Sequence, residues 1–171
     1  MSEDAGALDR TIDTLTARLL ERRTAGGHWE GRLASSALST ATATVALMLE
    51  QRASGHDRRS LIRSGLAWLI ANQNTDGGWG DTVVSLSNLS TTTLCWSALS
   101  LCVDAHESTR TAIERAECWL AIQVGDLSAA SLKRAIIARY GTDRTFSAPI
   151  LTVLALAGKL GAGAEAWRLV P

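Results

Sequence analysis

The stretch Leu66-Ala-Trp-Leu-Ile-Ala-Asn-Gln-Asn-Thr-Asp-Gly-Gly-Trp-Gly80 limits what this chain can become more than any other. Leu61, Gly65, Trp68 and Leu69 recur at helical spacing, with Arg58, Arg59 and Arg63 towards the other side, which predicts an amphipathic helix. Gly77 and Gly78 are expected to stop it, because glycine takes the left-handed geometry of a helix exit without a side-chain penalty. Gln73 stands where its amide can reach backbone groups left free at a helix end. Trp79 is placed to fold back and cover that amide with its ring. Such a unit ties a helix end to its neighbour.

The rest of the chain repeats the theme. A first helix is expected from about Leu8 to Arg23, with Ile12, Leu15, Leu19 and Leu20 as its apolar stripe. It runs into Gly26-Gly-His-Trp-Glu-Gly31, so Trp29 precedes Trp79 by fifty positions. A recurrence on that scale marks stacked helical-hairpin repeats. This first copy is degenerate, with Arg23 at the glutamine position and Arg18 at the aromatic one. A helix from about Ser36 to Arg52 has no charge before Glu50 and is expected to be buried on most sides. Asp57 is the expected N-cap of the central helix, which runs to Asn72. Asn88 or Ser87 is expected to cap an uncharged helix to about Val103. A charged helix follows from about Thr109 to Ile122. Its Arg115-Ala-Glu-Cys-Trp-Leu120 repeats the front half of the pattern, with Gln123 one place early and no Gly-x-Trp. Asp126 is expected to cap a helix to about Tyr140, and a last uncharged helix, about Ser147 to Ala157, carries Pro149 in its first turn.

Charged and uncharged helices thus alternate for much of the chain, as in a two-layer ring whose outer helices meet water. The fold class that follows is all-α: an α/α toroid of helical hairpins, a partial or incomplete (α/α)6 barrel, with about seven or eight helices. Strand signal is confined to Val83-Val84 beside a turn. A generic helical bundle is the alternative.

The residues also carry a resemblance. Trp68, Leu69, Gln73, Gly77 and Trp79 match the QW motif of the squalene-hopene cyclases and their triterpene cyclase relatives, and Gly65 matches the small residue before it. Ser64 departs from the basic residue of the pattern, with Arg63 one place away. Asp76-Gly-Gly-Trp-Gly-Asp81, Ser87-Asn-Leu-Ser-Thr-Thr92 and Asp143-Arg-Thr-Phe-Ser-Ala-Pro-Ile-Leu-Thr152 also look like these cyclases, and the matches run from about Gly26 to the C-terminus. The resemblance implies one N-terminal cyclase-like domain over residues 1–171, part of a truncated or split cyclase. Length allows one domain.

In that family an acidic D-x-D-D segment protonates the substrate, because an alkene is so weak a base that the donor must be polarised and dry. Here every aspartate is isolated in sequence, and neither D-x-D-D nor D-D-x-x-D occurs. We therefore assign no catalytic residue, no cofactor and no metal. His28 with Glu30, and Asp104 and His106 near Cys102, are read as turn and helix-end residues rather than zinc ligands. Gly65, Trp68, Leu69, Gln73, Gly77 and Trp79 are assigned a structural role; Trp68, Trp96 and Trp119 are read as core. Cys95, Cys102 and Cys118 lack the spacing of a zinc knuckle or redox pair and are read as buried free thiols in a reducing cytoplasm. The balance of 17 basic and 17 acidic side chains argues against a nucleic-acid partner. A second cyclase polypeptide or a homo-oligomer is expected instead, since the last uncharged helix, through Ile150, Leu151, Val153, Leu154 and Leu156, should expose an uncapped end. Peripheral membrane contact follows from the family's membrane-dissolved substrates. The alternative function, from another class, is a non-catalytic helical-repeat interaction module.

Overall fold

The structure, a computed structural model, describes residues 2–31, 33–102 and 106–171, with side chains from Gly6 onward. Among them are eight α-helices: α1 Ser2–Glu21, α2 Ala37–Ser54, α3 Arg59–Ala71, α4 Leu89–Ser100, α5 Glu107–Val124, α6 Ala129–Tyr140, α7 Arg144–Leu156 and α8 Gly163–Trp167. No strand is found among the described residues, only an isolated bridge between Arg23 and Trp29. The chain divides into two compact units, residues 1–34 and 35–171.

The larger unit is built of three hairpins, α2–α3, α4–α5 and α6–α7. In one layer α2 packs on α4 and α4 on α7; in the other α3 packs on α5 and α5 on α6. This is the two-layer hairpin stacking of an α/α toroid. The third hairpin enters from the charged layer, so the charged helices α5 and α6 follow one another. The core joins Leu69, Trp79, Trp96, Leu99, Leu120, Ile136, Leu151 and Leu154.

Sequence periodicity fixed the helices better than their ends. Asn88 caps α4, its side chain accepting from the Thr91 N–H at 3.0 Å. Two expected caps are displaced, one by one residue and the other by two. Asp57 accepts from Arg59 N–H but the cap position of α3 is Arg58; Asp126 accepts from Ser128 N–H, and Ser128 itself caps α6. In both cases the acid forms a short side-chain turn ahead of the helix. α4 closes at Ser100, short of the expected end at Val103, which itself lies outside the described residues. Asp143 caps α7 three residues earlier than expected, so Pro149 falls inside the helix. Its missing N–H deprives the carbonyl four residues back of a partner.

Burial corrects four further expectations. In α4 the residues from Ser90 to Leu99 are all buried, but α2 buries one face only, through Ala37, Ala41, Thr44, Val45 and Met48. Small uncharged residues on α2 disguise its exposed side. In α3 the inward residues are Leu66 and Leu69, while Leu61 is exposed and Trp68 half-buried. The end of the stack at α7 is partly covered: Ile150, Leu151 and Leu154 are buried, Val153 and Leu156 are half-buried, and Leu160, Ala166, Leu169 and Val170 pack onto the core. Leucine and valine beyond Gly158 cover part of the face that α7 was expected to leave open. Of the thiols only Cys95 is buried, and its burial pushes the thiol well up; Cys118 is exposed. Among the described residues no helix is long and apolar enough to cross a membrane.

The smaller unit consists of α1 and the turn after it. Within it the stripe Leu8, Ile12, Leu15, Leu19 and Leu20 remains exposed.

Candidate functional site

The Gly-Gly-Trp turn sits where α3, α4 and α5 meet. It begins past the end of α3, not at it: the helix closes at Ala71, and the Asn72 side chain donates to the Trp68 carbonyl at 2.8 Å. Gly77 and Gly78 therefore shape the following turn rather than stop the helix. Gly77 has φ +96°, and a Cβ there would come 2.6 Å from the Arg115 carbonyl oxygen. A Cβ on Gly78 would come 2.6 Å from Ser87 Cβ, and one on Gly80 2.5 Å from the Leu86 carbonyl. Gly65 is required by contact between helices: a Cβ there would overlap Thr44 Oγ1 on α2.

Gln73 and Trp79 are both engaged, in a way that differs from the reading of the sequence. The Gln73 amide donates to the Gly77 carbonyl at 2.8 Å and to the Ala112 carbonyl of α5 at 2.9 Å. It thus bridges its own turn to the next hairpin rather than satisfying the end of α3. The Trp79 indole takes that second task, donating to the Leu69 carbonyl at 2.9 Å while its ring is 1% exposed. The Trp79 N–H donates to Thr92 Oγ1 of α4 at 2.9 Å.

Sequence reasoning missed the helix that reads this turn. Arg115 on α5 donates to Gln73 Oε1 and to the carbonyls of Asn74 and Thr75. The Trp119 indole donates to Asp76 Oδ2 at 3.1 Å. The only trace in sequence was the partial repeat around Arg115. Its partners stand about forty residues away, beyond the reach of local patterns.

The carboxylates here are anchors. For Asp76, burial alone would raise the pKa, but donors from Gly78 N–H, Ser87 and Trp119 outweigh it and hold the group below the usual aspartate range. Asp81 is held low mainly by Thr91, then by Asn88, with Arg139 nearby. Thr91 Oγ1 donates to Asp81 at 2.6 Å, so the block from Ser87 to Thr92 ties the loop to the start of α4. An aspartate held as an anion by donors is a poor proton source.

The remaining tryptophans divide. Trp96 is buried, donates to Glu117 Oε1 at 3.0 Å and carries Lys159 Nζ 4.0 Å from its ring centroid. Trp68 and Trp119 are half-buried, not core. His28 and Glu30 approach to 3.4 Å in an exposed turn. Asp104 lies outside the described residues. Among the described residues no group of three or more His, Cys, Asp or Glu could hold a metal ion.

The first turn repeats the main bonds of the second. Trp29 donates to the Leu19 carbonyl at 2.7 Å, as Trp79 does to Leu69. Arg23 Nε donates to the Gly27 carbonyl at 2.8 Å, as Gln73 does to Gly77. Thr24 N–H donates to His28 O as Asn74 N–H does to Gly78 O. Gly27 has φ +82°, beside +96° at Gly77. Every pair is offset by the fifty positions read from the sequence.

Compared with known proteins, the chain matches the model of the squalene-hopene cyclase N-terminal domain over residues 12–151. No curated protein matches it.

Proposed function

The chain belongs to the squalene-hopene cyclase N-terminal domain family, and from that premise we propose that it is the structural half of a terpene-cyclising system, without chemistry of its own. The observation that carries this reading is the state of its acids. Cyclisation of a polyprene starts with a proton delivered to an alkene, which needs a carboxylic acid kept protonated and dry. Asp76 and Asp81, both exposed, are pushed the other way by their hydrogen-bond donors. No D-x-D-D occurs in the chain to polarise another. Trp68, Leu69, Gln73, Gly77 and Trp79 then serve the fold, joining one hairpin to the next, and Gly65 lets α3 approach α2.

A non-catalytic interaction module of cyclase descent is the second reading. It is favoured by the uncovered stripe on α1 within its own unit. One experiment addresses the first reading. Purified protein is incubated with squalene in detergent and the extract analysed by gas chromatography. No cyclic product is expected. Cyclic product from the pure chain would contradict the reading and require a proton donor other than these aspartates.

A further inference from the structure

The geometry points to the turn Arg23–Trp29 as a docking surface for a helix of the same repeat architecture that carries a carboxylate where α5 carries Arg115. This goes beyond the proposed function and rests on the hairpin architecture, not on any activity. The two turns share their main internal bonds at an offset of fifty positions. They differ in what lies against them. The second is read by α5, through the Ala112 carbonyl and Arg115, and its tryptophan is 1% exposed. The smaller unit contains only α1 and the turn, so within it nothing plays the part of α5, and Trp29 is 47% exposed. An indole fixed by a 2.7 Å hydrogen bond, at the end of an exposed leucine stripe, is a preformed half of an interface.

Charge specifies the other half. In the second turn Gln73 offers Oε1 to Arg115. Arg23 at the same position has no acceptor to offer, and its guanidinium lies 5.5 Å from the Trp29 ring. A helix with arginine at the reading position would meet like charge. A helix with glutamate or aspartate there would meet the guanidinium with complementary charge and hydrogen-bonding geometry. The occupant is thus an acidic-faced helix of a hairpin of the same architecture.

Two hydrocarbon-stapled α5 peptides test this, residues 107–124 unchanged and the same segment with Arg115→Glu. Each carries a fluorescent label and is titrated with the full chain and with its Arg23→Glu variant, which loses the bond to the Gly27 carbonyl and whose fold is therefore checked by its melting transition. We expect the Glu peptide to bind the parent at least about fivefold more tightly than the Arg peptide, the preference to reverse in Arg23→Glu, and binding to protect Trp29 from hydroxyl-radical oxidation. Binding by neither peptide, equal binding by both, or failure of the reversal would overturn the proposal. So would a Trp29 already as protected as Trp79 in the chain alone.

Discussion

At Gln73 one side-chain amide meets three groups: the carbonyls of Gly77 and Ala112 and the guanidinium of Arg115. Gln73→Ala removes both donated bonds and leaves two carbonyls and part of a guanidinium without their partner. The expected loss is ~1–3 kcal/mol, read as a lower melting temperature in differential scanning calorimetry. Gln73→Glu should also destabilise: a carboxylate accepts Arg115 but cannot donate to either carbonyl. That Gln73 mattered was legible from its spacing to Gly77 and Trp79. Which carbonyls it reaches was not, because Ala112 is supplied by a helix 39 residues on. Likewise the sequence could place Trp79 near the end of α3, but the indole's choice of the Leu69 carbonyl over the Gln73 amide depends on the path of the turn.

Among the elements, the uncharged helices show what composition can and cannot tell. In α4 the threonines are buried because each hydroxyl has a partner: Asp81 for Thr91, Trp79 for Thr92 and the Leu89 carbonyl for Thr93. In α2 threonines bond back to carbonyls four residues earlier, at Thr40, Thr42 and Thr44. That pairing satisfies a hydroxyl whether the helix face is wet or dry. Lack of charge therefore marked α4 correctly and overstated the burial of α2. The link between α2 and α3 has a pH signature. Glu50 accepts from Arg58 first, then from Ser54 and His56, and its pKa is lowered from 4.5 to about 2. A carboxylate depressed in the folded state contributes stability that is present above its unfolded value near 4.5 and is lost as pH falls towards 2. Glu50→Gln should flatten the dependence of melting temperature on pH across that window and change it little above pH 6 or so. A variant with the parental acid profile would place the acid sensitivity elsewhere, for instance at Asp76 or Asp81.

For the molecule as a whole, the two-layer stack was legible from the alternation of charged and uncharged helices. The cover over α7 was not, since Leu160, Leu169 and Val170 form no periodic pattern and α8 has only five residues. The fifty-residue repeat gives the larger unit its central joint and the smaller unit an equivalent turn without one. That contrast allows a direct measurement, because the same ring with the same helix-carbonyl bond occurs once buried and once exposed. Trp79→Ala and Trp29→Ala are compared with the parent by calorimetry of the full chain. If the buried turn holds the stack together, Trp79→Ala should cost ~3–5 kcal/mol, lowering the transition of the larger unit by roughly 10 °C. Trp29→Ala should leave that transition within about 2 °C of the parent. Equal effects of the two substitutions, or a Trp79→Ala protein that melts like the parent, would contradict it.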